Sequence, residues 1–192
     1  MENEEAVISL DLPPQTPLSE ETEAYFAKCQ DKLGLVPNVL RAYSFDENKL
    51  RKFTDFYNEV MLAESDLSKL EREMIAVVVS AANRCHYCLI AHGATVRALS
   101  GDAALGDTLA ANYRAASLSA RHRAMLDYAW TLTTAPHDCG PAEEASLREA
   151  GFGDRAIWDI VAVTGFFNMT NRVASATKMR PNAQYYAMGR KS

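Results

Sequence analysis

Cys85 and Cys88 stand one helical turn apart and His92 follows a turn later, within Asn83-Arg84-Cys85-His86-Tyr87-Cys88-Leu89-Ile90-Ala91-His92. Thiols at this spacing support either reversible disulfide chemistry or, with further ligands, a zinc site. Asn83 is the expected N-cap of the helix that carries them. Both sulfurs would then lie near the positive end of the helix dipole, which favours the thiolate over a thiol of ordinary pKa about 8.5. His92, four residues after Cys88 and seven after Cys85, lies on the same stripe and can accept the Cys88 proton. Cys85 is a turn further away, so the spacing predicts Cys88 as the attacking sulfur and Cys85 as the resolving one. A peroxide cycle follows: Cys88 cleaves the O–O bond and becomes a sulfenic acid, Cys85 condenses with it to a disulfide, and an external dithiol restores the pair.

The competing reading is structural zinc, with Cys85, Cys88 and His92 as three ligands. The fourth would come from Cys29, Cys139, His122, His137 or Glu73, none of which sits in a second CxxC or HxxxH. A c-type haem attachment is excluded because Leu89, not histidine, follows Cys88. Cys29 and Cys139 read as packing or surface thiols, and His122 and His137 as structural or exposed. Asn168, Asn171 and Arg172 read as hydrogen-bonding groups between packed helices.

The elements that must position these residues are helices. Pro13, Pro14 and Pro17 keep residues 1–18 as an extended arm. Ser19 caps a helix that Gly34 stops, Pro37 starts a short segment to about Tyr43, and Asp46 caps a helix to about Ala63. Ser68-Lys69-Leu70-Glu71 is a capping-box pattern, so the valine-rich run to Ala82 is assigned as helix rather than buried strand; Leu70, Met74, Val77 and Val78 keep helical spacing. The CxxC helix runs from Asn83 to about Leu99. Further helices start at Asp102, Ser119, Pro141 and Asp154, the last reaching about Thr177. The helices at 68–82 and 154–177 echo one another weakly, a pattern any two buried helices share. The fold class is all-α, with a single domain over 19–180 and a tail over 181–192.

The chain has 192 residues with a formal net charge of -5, which argues against a general nucleic-acid role. The acidic start Met1-Glu2-Asn3-Glu4-Glu5 is the reverse of a signal peptide, and the longest apolar run, around Ile75 to Val79, is far too short to span a membrane. A cytoplasmic location is expected, where a CxxC pair is kept as free thiols until oxidised.

With Glu73 placed ahead of Cys85-His86-Tyr87-Cys88 and His92, the chain resembles the AhpD-like alkylhydroperoxidases of the carboxymuconolactone decarboxylase superfamily, in their peroxidase-related branch. Gly34-Leu35-Val36-Pro37-Asn38-Val39 and Asn168-Met169-Thr170-Asn171-Arg172-Val173-Ala174 support the likeness. The resemblance implies an AhpD-like helical bundle and catalytic roles for Glu73, Cys85, Cys88 and His92, with Glu73 and His92 relaying a proton for Cys88. A carboxylate beside a thiol would oppose ionisation, so the order must be Glu73, His92, Cys88. A histidine between the cysteines of the best-studied type would match Tyr87, not His86. The resemblance also implies no metal or haem, a homo-oligomer built from dimers into a hexamer, and a lipoyl-bearing or thioredoxin-like reductant. The expected function is a thiol peroxidase acting on alkyl hydroperoxides or hydrogen peroxide. The alternatives are a dithiol–disulfide oxidoreductase using the same residues, a non-catalytic zinc-stabilised helical protein and, more remotely, a lactone decarboxylase-type lyase.

Overall fold

The computed structural model describes residues 6–190; the acidic start at 1–5 and the last two residues lie outside it. Among the described residues the regular structure is entirely helical. In order the helices are α1 (Glu20–Leu33), α2 (Asn38–Tyr43), α3 (Glu47–Leu62), α4 (Lys69–Ala82), α5 (His86–Ser100), α6 (Ala103–Asn112), α7 (Ala120–Thr134), α8 (Pro141–Glu149) and α9 (Asp154–Ala176). A 3₁₀ turn, Ala183–Tyr186, ends the ordered tail. None of these helices is long and apolar enough to cross a membrane.

The bundle is built around α4. Ser68 accepts a hydrogen bond from Glu71 N–H while Glu71 Oε2 accepts from Ser68 N–H, the reciprocal cap expected from the sequence. From there every residue over 71–80 is buried, because α3, α5, α6, α7 and α9 all pack against α4. A helix covered on all sides needs apolar groups all round. That is why this segment has a valine run that also suits a buried strand. Two helix starts differ from expectation. Asn83 is the C-cap of α4 and Cys85 the N-cap of α5, because the Asn83 side chain is engaged elsewhere, donating to Asn168 Oδ1 and Asn171 Oδ1 on α9 at 3.1 and 3.0 Å. Gly153, not Asp154, occupies the N-cap of α9; Asp154 instead pairs with Arg148 at 3.0 Å.

The tail is clasped onto α5. Buried Arg97 donates from Nη2 to Tyr185 O at 2.7 Å and from Nε to Met188 O at 3.0 Å. The Asn182 side chain bonds Val36 O at 2.9 Å and Asn38 N–H at 2.7 Å, fastening the tail to the start of α2. These ties set a wall of the site described below. Arg97 has its place because α6 approaches α5 at Gly106, where an added Cβ would lie 2.7 Å from Arg97 Cγ and 2.9 Å from Gly93 O. Gly106→Ala should therefore lower the denaturant midpoint, by about 1–3 kcal/mol of stability. Gly165→Ala, in α9 with open space around it, should be neutral or stabilising by about 0.4–1 kcal/mol.

Candidate active site

Glu73 projects from buried α4 and His92 from α5, and the fold brings them together: Glu73 Oε2 lies 2.6 Å from His92 Nδ1. Glu73 is 6% exposed, so this contact is what satisfies a carboxylate removed from water. The edge-on ring of Phe167, with centroids 4.6 Å apart, holds the imidazole from another side. With Nδ1 committed to the carboxylate, Nε2 is the nitrogen left to exchange a proton. The two acids of the first turns of α4 have separate roles: Glu71 completes the helix cap and accepts from Arg121 Nε at 2.9 Å, while Glu73 pairs with the histidine.

Cys85 and Cys88 are both free thiols, both buried, with their sulfurs 2.9 Å apart. Their electrostatics run opposite to the asymmetry expected from spacing. The Cys85 thiol is held down to about 6, first by the hydrogen bond from the Cys88 thiol. Burial opposes this, and the Cys88 backbone N–H, the Ser175 hydroxyl and the charge of His92 reinforce it. The Cys88 thiol is pushed up, by donating to Cys85, by burial and by the neighbouring Cys85 charge, with Asn171 and Ser80 easing it downward. The displaced helix start contributes: with Cys85 as N-cap, the Cys88 backbone N–H adds to the larger effect of the Cys88 thiol. The Cys88 sulfur is engaged with Cys85, Asn171 and Ser80. The pair is therefore asymmetric, with Cys85 the sulfur favoured as thiolate and Cys88 the one favoured as thiol.

Asn171 anchors this arrangement. It donates to Ser80 Oγ at 3.0 Å and accepts from Asn83, which also reaches Asn168; Asn168 in turn donates to Thr133 at 3.1 Å and accepts from Arg172 at 2.9 Å. The hydrogen bonds between packed helices expected for Asn168, Asn171 and Arg172 are present, and through Asn171 and Ser80 they also reach the sulfur.

A cavity of about 850 Å³ opens onto Cys88, His92 and Glu73. Its walls are largely apolar and include aromatic rings from distant parts of the chain, among them Tyr43 and Phe53 from α2 and α3 and Phe166 from α9. Tyr57, Tyr87 and Tyr185 also line it. Burial first, and for Tyr57 and Tyr185 the charge of Glu73 next, push these phenols up, so they stay protonated. Tyr87 OH accepts from Val39 N–H at 3.0 Å, which ties the residue between the cysteines to α2. Of these tyrosines, only Tyr87 stands out in the sequence, by its place between the cysteines; Tyr57, Tyr185, Ser80 and Ser175 look like ordinary packing or surface residues until the chain is folded. Cys29 also lines the cavity, half-buried, whereas Cys139 packs against the main core away from it. Among the described residues no group of three or more His, Cys, Asp or Glu is arranged to hold a metal. His122 sits beside Glu71 and exposed His137 beside Asp138.

The carboxymuconolactone decarboxylase family model matches residues 49–104, the segment that holds α4, the cysteine pair and His92. A crystal structure of a peroxidase-related protein from Silicibacter sp. TM1040 is 59% identical over 99% of this chain and 100% of its own, with a TM-score of 0.95. A second, described as an alkylhydroperoxidase AhpD core and peroxidase-related protein from Ralstonia eutropha JMP134, is 39% identical over 97% and 98% with a TM-score of 0.93. The debrominase Bmp8, solved with 2,3,4-tribromopyrrole, shares the fold at 16% identity and a TM-score of 0.79 over 95% and 97%. No curated protein matches the chain. This all-α chain belongs to the AhpD-like proteins of the carboxymuconolactone decarboxylase superfamily.

The asymmetry of the pair has a direct spectroscopic consequence. A depressed thiol pKa means thiolate is present above it and lost as pH falls through it. Thiolate absorbance of the reduced protein should therefore rise with a midpoint near pH 6. In Cys85→Ser that low transition should be absent, and in Cys88→Ser it should move upward, because the donor that holds it down is gone.

Proposed function

We propose that the protein is a thiol peroxidase that reduces organic hydroperoxides through Cys85 and Cys88, with Glu73 and His92 handling the protons. One observation carries the reading: a buried carboxylate–imidazole pair and one sulfur of a CxxC pair line the same apolar cavity. A hydroperoxide in that cavity meets Cys88. The proton between the sulfurs moves across their 2.9 Å contact to Cys85, leaving the anion on Cys88. Cys88 sulfur attacks the terminal peroxide oxygen and the O–O bond breaks. The departing alkoxide takes a proton from His92, whose positive charge Glu73 stabilises. Cys85 sulfur then displaces hydroxide from the Cys88 sulfenic acid, its own proton leaving through His92, and the products are a Cys85–Cys88 disulfide, water and an alcohol. The peroxide gains two electrons and the two thiols supply them. An external dithiol closes the cycle.

A cavity of about 850 Å³ is far larger than hydrogen peroxide requires and falls within the roughly 300–1,000 Å³ of small-molecule sites. Its apolar walls, with their aromatic rings, favour a bulky apolar hydroperoxide. Burial of both cysteines disfavours a protein disulfide as substrate. Self-association is part of the same reading, supported by exposed Phe56, Leu62 and Trp158, the last 73% exposed.

One equivalent of cumene hydroperoxide should convert both thiols to an intramolecular disulfide, read by intact mass and free-thiol count, with no bound zinc. Hydrogen peroxide should react more slowly. Glu73→Gln should slow the step by roughly 10²-fold or more with the fold retained by circular dichroism. A disulfide formed only with disulfide substrates would move the assignment to a dithiol–disulfide oxidoreductase; stoichiometric zinc with inert sulfurs would move it to a structural site.

A further inference from the structure

The two cysteines border different spaces. Cys88 lines the apolar cavity, whereas Cys85, itself buried, lines a second, smaller cleft of about 380 Å³. Tyr87, Ala174 and Met179 line both spaces and so partition them. The rim of the second cleft is basic: Arg84, His86 and Lys178 are exposed around it, in a chain whose net charge is -5. No carboxylate among the described residues pairs with Arg84 or Lys178.

The backbone places two of these cations there against its own preference. Arg84 (φ 54°) and Lys178 (φ 51°) are the two non-glycine residues with left-handed backbone among those described. Each follows the C-cap of a helix, α4 and α9 respectively, a position where glycine is the favoured residue. The next residues close both ends in the same way, Cys85 N–H to Ser80 O and Met179 N–H to Ala174 O, each at 2.9 Å. Two helix ends thus converge beside Cys85, and each carries a long cation at a position that glycine would fill without strain. A cation complements the negative end of a helix dipole, which accounts for its charge at one end. It does not account for both strained cations bordering the cleft that Cys85 lines.

We propose that this basic cleft is where the reductant meets the oxidised pair, and that it takes a dithiol borne on a slender, carboxylate-bearing chain. The proposal rests on the redox reading of the CxxC pair. A reductant thiolate attacks Cys85 sulfur, the disulfide bond breaks, and the electron pair passes to Cys88, which takes a proton from His92. The second reductant thiol gives up its proton, which returns to His92, and attacks the reductant sulfur of the mixed disulfide. This forms the reductant's own disulfide and expels Cys85 as thiolate; the dithiol loses two electrons and the protein gains two. A thiolate as well stabilised as Cys85 is a good leaving group for that last step. Peroxide and reductant would then reach the pair from separate sides, and neither need leave before the other approaches.

The test uses the full-length protein oxidised to the Cys85–Cys88 disulfide with diamide, so it does not depend on peroxide reactivity. Reduction rates are compared for dihydrolipoate and dihydrolipoamide, the same dithiol carrying a carboxylate or a neutral amide. Dihydrolipoate should react faster by roughly five- to tenfold at low ionic strength, and the ratio should fall toward one in about 0.5 M salt. Arg84→Gly and Lys178→Gly, which relieve the left-handed backbone and should fold at least as well, should each lower the ratio, and the double variant should abolish it. The dihydrolipoamide rate and the rate of oxidation by cumene hydroperoxide should stay unchanged. A wild-type ratio near one, a ratio indifferent to both substitutions, or failure of diamide to form the disulfide would overturn the proposal. A charge preference in a protein whose pair resists peroxide would keep the cleft and remove the peroxidase reading instead.

Discussion

A carboxylate in the middle of the most enclosed helix is costly unless a partner meets it, and here the partner is the Nδ1 of His92 on the next helix. That contact explains much of the local architecture. It requires α5 to lie along α4 in one register, which in turn fixes Cys88 beside Ser80 and Asn171 and places Cys85 at the cap of α5. Removing either partner would leave a buried polar group unsatisfied and, on the proposed mechanism, remove a proton carrier. Structural and chemical demands therefore fall on the same two side chains.

The packing around this pair explains why the active sulfurs are not equivalent. The Asn83 side chain is drawn to α9, so Cys85 becomes the N-cap of α5, and the Cys88 thiol and backbone N–H favour an anion on that sulfur. The sulfur nearest the apolar cavity is the one that rests protonated. On the proposed mechanism, a single proton moving between sulfurs 2.9 Å apart decides which compartment sees the nucleophile. On this account the same short step prepares Cys88 for a hydroperoxide and later makes Cys85 a leaving group.

Much of this was legible in the residues themselves. The capping box at Ser68 and Glu71, the helix caps at Ser19, Asp46, Asp102 and Ser119, and glycine stops at Gly34 and Gly101 are local signals, and the structure follows them. The Glu73–His92 contact was expected only through resemblance, because no local pattern marks Glu73, whereas Glu71 belongs to the capping box. Three features were beyond the sequence for physical reasons. The displaced start of α5 depends on Asn83 finding partners 85 and 88 residues away. The cavity is assembled from α1, α2, α3, α9 and the tail, so Tyr25, Tyr57 and Tyr185 share no local pattern. The strained backbone at Arg84 and Lys178 depends on how α4 and α9 end, which periodicity does not encode.

The claim that most needs a direct reading is that the oxidant is met by the sulfur on the cavity side. Treating Cys85→Ser and Cys88→Ser with cumene hydroperoxide in the presence of dimedone, followed by peptide mass spectrometry, gives that reading. The account predicts a dimedone adduct on Cys88 in the first variant and little or none on Cys85 in the second. An adduct on Cys85 alone would contradict it, placing the peroxide chemistry in the basic cleft and leaving the Glu73–His92 pair as a structural contact.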